Sequence, residues 1–215
     1  MTSATRTGKV GTLLLRAAFL AVFAGVVVAA TLYGGSALDQ TRGRVEHLLL
    51  DRSFDRLIAG NGDGKPWPWA GFTVKARVTS LRLNESQVVI SGVTGKTLAV
   101  GPAWLASSAE PGDEGTAIIA APRDPNFTWI RNILPGDLIK VERADGKVFN
   151  FRAIRSRVVR WDNNEIDTAG PGQHLALVSR WPFGGPPDGP MRYIVDADIA
   201  TEHDSVVANL SRPRS

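Results

Sequence analysis

A mainly β architecture, a sandwich or a closed barrel, is what the sequence predicts for most of this 215-residue chain. Three observations predict it. Short segments rich in β-branched and aromatic residues recur along the chain, Gly, Pro, Asn or Asp separates each from the next, and only two short stretches look helical. The strand segments are Phe72 to Val78, Gln87 to Val93, Thr116 to Ala121, Asp137 to Glu142, Val148 to Val159, His174 to Arg180 and Met191 to Ala197. Ala144-Asp145-Gly146-Lys147 reads as a hairpin turn, because Asp-Gly tolerates positive φ. Ala103 to Ser108 and Phe127 to Ile133 are the short helices.

From the N-terminus, Leu13 to Tyr33 is almost wholly apolar and meets the roughly 20 residues needed to cross a bilayer. Arg16 near its start can snorkel to the head groups. Arg6, Lys9 and Arg16 place Met1 in the cytoplasm by the positive-inside rule, and the remainder on the far side. The competing reading is a cleaved signal peptide, with small residues at Gly35 and Ala37. The resulting plan is a cytoplasmic N-terminus at 1–12, an anchor at 13–33, a stalk or linker at 34–64, a β domain at 65–200 and a tail at 201–215. Within the stalk, Leu38, Val45, Leu48, Leu49 and Leu57 have loosely helical spacing, and the Gly- and Pro-rich run from Asn61 to Gly71 ends any helix. Trp67 and Trp69 read as aromatic plugs over one end of the core, or as a surface that touches lipid or ligand.

Composition excludes several classes of function. With 43% hydrophobic and 21% charged residues the chain is globular rather than disordered. Its 25 basic and 21 acidic residues are interspersed, giving +4 overall, so nucleic acid is not an expected partner. The absence of cysteine removes disulfides, thiolate metal sites and a cysteine nucleophile together. His47, His174 and His203 show no paired ligand spacing, so no metal or other cofactor is expected. Arg152, Arg155, Arg157 and Arg160 do not keep one parity, which predicts both strand faces or a bulge on a solvated edge.

The stretch His174 to Val195, HLALVSRWPFGGPPDGPMRYIV, carries the chemistry. One strand stops at Trp181-Pro182-Phe183, a Gly- and Pro-rich loop follows, and a second strand begins at Met191. Neighbouring strands joined this way bring Arg180 and Arg192 together at one end of a sheet, where a cleft is expected.

LALVSRWPF followed by GPMRYIV resembles the signature of sortases, the cysteine transpeptidases that cut and rejoin protein sorting signals, most closely the Gram-negative class. KPWPWA resembles the segment that opens their catalytic domain, and TLAVGPAWLASSAEPGDEGTAIIAAPRDPNF with NILPGDLI continues the likeness in order and spacing. The resemblance implies a sortase-like closed β-barrel after one N-terminal transmembrane helix. It implies that Arg180 stands at the nucleophilic Cys, Pro122 at the catalytic His, Ser179 at a Thr before the nucleophile, and Arg192 at the retained catalytic Arg. A guanidinium carries no nucleophilic lone pair and proline moves no proton. Ser179 is the candidate replacement nucleophile, but strand alternation points it away from Arg180's side, and His174 lies five residues upstream on the same strand.

Exchanging thiolate and imidazolium for Arg180 and Pro122 raises the charge of the cleft from about one to about two. The cleft is then expected to pair Arg180 with a carboxylate such as Asp124 or Asp188, or to bind an anionic group, with Arg180, Arg192 and Trp181 as ligand-binding residues. The expected function is a pseudo-sortase of the inner membrane, single-pass, whose barrel lies on the periplasmic side and binds a sorting-signal-like peptide or assists an envelope protein. The alternatives are a transpeptidase or hydrolase that uses Ser179, and a purely structural envelope barrel.

Overall fold

Each of the seven segments read as strands is a strand, and a further strand of two residues completes their closure in the computed structural model of the chain. The chain divides into two units, residues 1–45 and 46–215. The structure describes residues 46–91, 100–121, 125–163, 166–183, 185 and 189–200. The membrane segment Leu13 to Tyr33, the positions Pro122, Asp124 and Asp188, and the tail from Thr201 lie outside the described residues. Among those described, no helix is long and apolar enough to cross a membrane.

The strands are β1 (Val74–Ser80), β2 (Glu85–Ile90), β3 (Ala103–Trp104), β4 (Gly115–Ala120), β5 (Leu138–Arg143), β6 (Val148–Arg160), β7 (Gln173–Trp181) and β8 (Met191–Ile199). They close as β1-β2-β3-β4-β7-β8-β6-β5, with β5 returning to β1. Closure gives every strand two neighbours, though not along its whole length: β3 meets β2 only at Ile90, and β5 meets β6 only as far as Arg152. Of the two architectures the strand pattern allows, this is the barrel. The hairpin at Ala144 to Lys147 forms as its Asp-Gly pair requires, with Gly146 at φ 82° and the Arg143 amide donating to the Lys147 carbonyl at 2.8 Å.

Alternate residues of the strands fill the barrel. Ala76, Val78, Val89, Ala117, Ile119, Ile139, Val141, Phe151, Leu175, Leu177, Val195 and Ala197 form one buried cluster, sealed by Phe127, Trp129, Ile130 and Ile133. The opposite faces of β4, β7 and β8 carry a second apolar set, Ile118, Ala176, Val178 and Ile194. Buried on both sides, β4 and β7 therefore read as continuous apolar runs rather than alternating ones.

Several expectations are corrected. Ala103 and Trp104, read as the start of a helix, are β3: Ala103 lies opposite both Ile90 and Ala120, and only Leu105 to Ser108 turns. The second short helix is a 3-10 segment, Pro125–Asn132. The arginine-rich strand is an edge only in part: β5 pairs with its first residues, Val148 to Arg152, and from Arg155 to Arg160 it pairs with β8 alone; the predicted parity break is a bulge between Ala153 and Arg155. Beyond it, Arg155 and Arg157 both bond Asp196, at 3.0 and 2.8 Å. Trp67 is half-buried edge-on to Phe72 at 5.5 Å, whereas Trp69 is 83% exposed and plugs nothing.

The segment assigned to a stalk is helical over residues 46–58 (α1) and packs rather than standing free. Leu50 and Phe54, one turn apart, are buried against Phe72, Val74, Val88, Ile90 and Ala103. The helix ends in a Schellman arrangement: Gly60, at φ 73°, donates to the Leu57 carbonyl and Asn61 to the Arg56 carbonyl.

Candidate functional site

β7 and β8 are antiparallel neighbours, and their register sets Arg180 directly opposite Arg192, Val178 opposite Ile194, Ala176 opposite Asp196 and His174 opposite Asp198. Because successive side chains alternate, these even-numbered residues share the outer face of the barrel, the face of Ile118, Ala176, Val178 and Ile194. The outer face thus has two arginines at one end, an apolar floor, and a charged cluster at the other end.

Arg192 is held by its own strand's start. Its Nη1 donates to the Gly189 carbonyl at 2.7 Å and to the Met191 carbonyl at 2.8 Å. Burial lowers its pKa from the ordinary arginine value, as desolvation disfavours the charged form. Arg180 is partly exposed. Among the described residues neither guanidinium forms an ion pair with a carboxylate. The carboxylates proposed for Arg180, Asp124 and Asp188, lie outside the described residues, as does Pro122.

The remaining sequence-derived site residues point elsewhere. Ser179 is 2% exposed, and its hydroxyl faces the Ala121 carbonyl at 3.4 Å. Alternation puts it on the inner face, opposite to Arg180. Trp181 stacks on Tyr193 at 5.9 Å and meets Phe183 edge-on at 5.6 Å. Phe183 and Tyr193 pack on the barrel interior, so Trp181 caps the inner face and does not join the arginine pair. The structure brings Arg180 and Arg192 together and separates both from Ser179 and Trp181.

The connection from β6 to β7 forms a wall over the apolar floor, to which it contributes Ile166. It is tied to β4 by three bonds: Gly115 N–H to the Gly172 carbonyl at 2.7 Å, Thr116 N–H to the Thr168 carbonyl at 3.3 Å, and the Thr116 hydroxyl to the Asp167 carbonyl at 2.6 Å. Only glycine fits at 115. Its φ is 103°, and a Cβ there would stand 2.6 Å from the Thr168 carbonyl oxygen.

A cavity of about 330 Å3 lies on the same face, bordered by Arg155, Arg157, Asp196, His174, Asp198 and Ile166. His174 Nδ1 is 2.6 Å from Asp198, and Nε2 is 2.9 Å from the Pro171 carbonyl. The Pro171 carbonyl, then Asp198, raise the His174 pKa above its ordinary value, because only the imidazolium can donate from both nitrogens at once. A raised folded-state pKa contributes stability that is full below the unfolded value, about 6.5, and is lost as pH rises through the folded one. The difference in unfolding midpoint between the native protein and His174→Gln is therefore expected to be largest below about pH 6 and to shrink above the raised value. Chemical denaturation at a series of pH values checks this, and a difference that grows with pH would contradict it.

Sequence reasoning left His174 as an upstream strand residue and did not single out Asp196 or Asp198. The signal was parity. Once Arg180 is set opposite Arg192, counting back in twos sets His174 opposite Asp198.

The chain matches the family model of the Sortase domain over residues 79–200, more than half its length. Among solved structures it is similar to a sortase D5 transpeptidase of Clostridium perfringens (18% identity, TM-score 0.58, covering 74% of this chain and 99% of that one). It is also similar to C. perfringens sortase C crystallised with the C-terminal cell wall sorting motif (16% identity, TM-score 0.54, 81% and 99%). Sortase A from Corynebacterium diphtheriae matches at 18% identity and TM-score 0.54, covering 62% and 63%. Comparison with curated protein sequences gives no match.

Proposed function

Because the chain belongs to the sortase family, by its Sortase-domain match over residues 79–200, we propose that it is a catalytically impaired, membrane-anchored member that binds a sorting-signal-like peptide without cutting it. One observation carries the proposal: the chain has no cysteine, and the position where the family resemblance expects the nucleophile holds Arg180, directly opposite Arg192. Acyl transfer of this kind starts with attack by a thiolate, and no residue here supplies one. Ser179 does not substitute, since its hydroxyl is buried on the other face.

What remains suits binding. Two neighbouring guanidiniums repel unless an anion or an array of carbonyl oxygens sits between them, and arginine is well shaped for both. The half-buried Leu105, Val159 and Ile166, which pack on the buried Val178, Ile194 and Ile118, offer apolar contact to an extended peptide, and the relative solved with a sorting motif supports that class of ligand. The apolar run Leu13 to Tyr33 supports an anchor in the inner membrane with the barrel on the periplasmic side.

Fluorescence anisotropy with a labelled LPxTG-like peptide ending in a free carboxylate tests the reading. Arg180→Ala and Arg192→Ala are each expected to weaken binding about 10- to 100-fold, the worth of a hydrogen bond to a charged group. Undiminished binding by both variants, or no binding by the native protein, removes the peptide role and leaves a structural barrel.

A further inference from the structure

Beyond its bulge, β6 presents an open edge. From Arg155 to Arg160 it pairs with β8 alone, whereas β5 covers only Val148 to Arg152. The register tells which backbone groups are left over. The Trp161 amide donates to the Pro190 carbonyl at 2.8 Å, on the β8 side. Because the direction of N–H and C=O alternates along a strand, Val159, Arg157 and Arg155 also face β8, and Arg160, Val158 and Ser156 face away. Among the described residues nothing pairs with the outward amides and carbonyls of these three. All three residues are exposed.

Such an edge is a template for another strand, and proteins ordinarily guard it with free charge. Three arginines lie on this one, but each is held by a carboxylate of its own molecule. Arg155 and Arg157 bond Asp196 at 3.0 and 2.8 Å, and Arg160 bonds Asp162 at 3.1 Å through both Nε and Nη2. With its charge answered locally, the edge selects no strongly acidic partner. It also keeps apolar surface in water, since Val158 is 39% and Trp161 60% exposed.

The edge is complementary to itself. In a two-fold antiparallel pairing centred on Val158, that residue faces Val158 of a second copy, Ser156 faces Arg160, Arg157 faces Val159 and Arg155 faces Trp161. Every outward amide and carbonyl of Ser156, Val158 and Arg160 then has a partner, and each arginine meets a neutral residue. Arg155 also gains the indole of the second copy as a cation–π partner. Neighbouring registers are worse. Centring on Ser156, Arg157 or Arg160 sets arginine opposite arginine, and like charges directly opposite destabilise a pair. Centring on Val159 leaves Ser156 opposite Asp162, past the end of the strand.

We propose that the protein pairs with a second copy of itself through the edge of β6 from Ser156 to Arg160, in an antiparallel two-fold interface centred on Val158, so that the β7-β8-β6 sheet runs on into its counterpart. The surface is a strand edge rather than the face that carries Arg180 and Arg192, so the proposal does not rest on the peptide reading.

Sedimentation equilibrium of the full-length protein in detergent is expected to show a dimer. Val158→Pro removes the central amide of each copy while sparing the bonds to β8. It is expected to raise the dissociation constant about 10- to 100-fold, the worth of two hydrogen bonds. Val158→Lys, which sets like charges opposite each other, is the second variant should the proline impair folding. Register is read separately, because the native chain has no cysteine. Val158→Cys is expected to form a disulfide-linked dimer on mild oxidation, the Cα atoms of a hydrogen-bonded pair standing about 5.5 Å apart. Val148→Cys, exposed on the same strand, is expected not to. A native protein that stays monomeric overturns the proposal and leaves the edge to a strand of another protein. A dimer equally strong in Val158→Pro and Val158→Lys, or cross-linking through Val148→Cys alone, overturns it as well.

Discussion

Phe54→Ala is expected to cost about 3–5 kcal/mol of folding stability, the range for emptying a buried aromatic site. Phe54 is fully buried with Leu50 against Phe72, Val74 and Val88. Its ring also carries the Arg77 guanidinium of β1 at 4.6 Å. That guanidinium reaches Asp55 at 2.8 Å and Asp51 at 3.3 Å, one turn apart on the same helix. One β1 side chain therefore clasps α1 on both sides of Phe54, and removing the ring leaves a cavity and withdraws the surface on which Arg77 lies. Leu48→Ala, at a position 49% exposed, is the control and is expected to change stability by less than about 0.5 kcal/mol. Equilibrium denaturation of both variants decides. A loss under about 1 kcal/mol for Phe54→Ala would mean that the helix is the free stalk its sequence suggests.

That helix shows where sequence reasoning stops. Leu48-Leu49-Leu50 is a run with no intrinsic face, so spacing alone pointed to Leu48, Leu49 and Leu57. Tertiary contact chose Leu50 and Phe54, with Leu57 partly buried against the same cluster. The strands were legible because alternation and Gly or Pro punctuation are local signals. β3 was not, since its two residues are a strand only by virtue of Ile90 and Ala120, neither of them close in sequence.

The site divides along the same line. Arg180 and Arg192 could be set together from two strands and a rigid loop, and the register pairs them. The His174 and Asp198 contact depends on that register and on the Pro171 carbonyl of the connection, which no periodicity records. Trp181 looked like part of the cleft because it adjoins Arg180 in sequence. On a strand, adjacency means the opposite face, and its stacking on Tyr193 follows from that.

The native protein is expected to release no product from an LPxTG-like peptide, and Arg180→Cys is expected not to restore turnover. The substitution puts a thiol on the outer face opposite Arg192, whose positive charge favours the thiolate. The introduced sulfur should thus react readily with iodoacetamide, which reports that it is accessible and ionised. Attack on the peptide carbonyl would form a new S–C bond, but expelling the amine requires a proton delivered to the leaving nitrogen, and the family resemblance expects the histidine where this chain has Pro122. A positioned general acid is worth about 10²–10⁴ in rate. Fast alkylation without peptide cleavage is therefore the expected pair of results for Arg180→Cys, measured by mass spectrometry of both adduct and peptide. Cleavage by the native chain, abolished by Arg192→Ala, would show that the barrel keeps a nucleophile other than sulfur. Cleavage by Arg180→Cys alone would show that another group already supplies the proton, and that the arginine at 180 is what holds this barrel inactive.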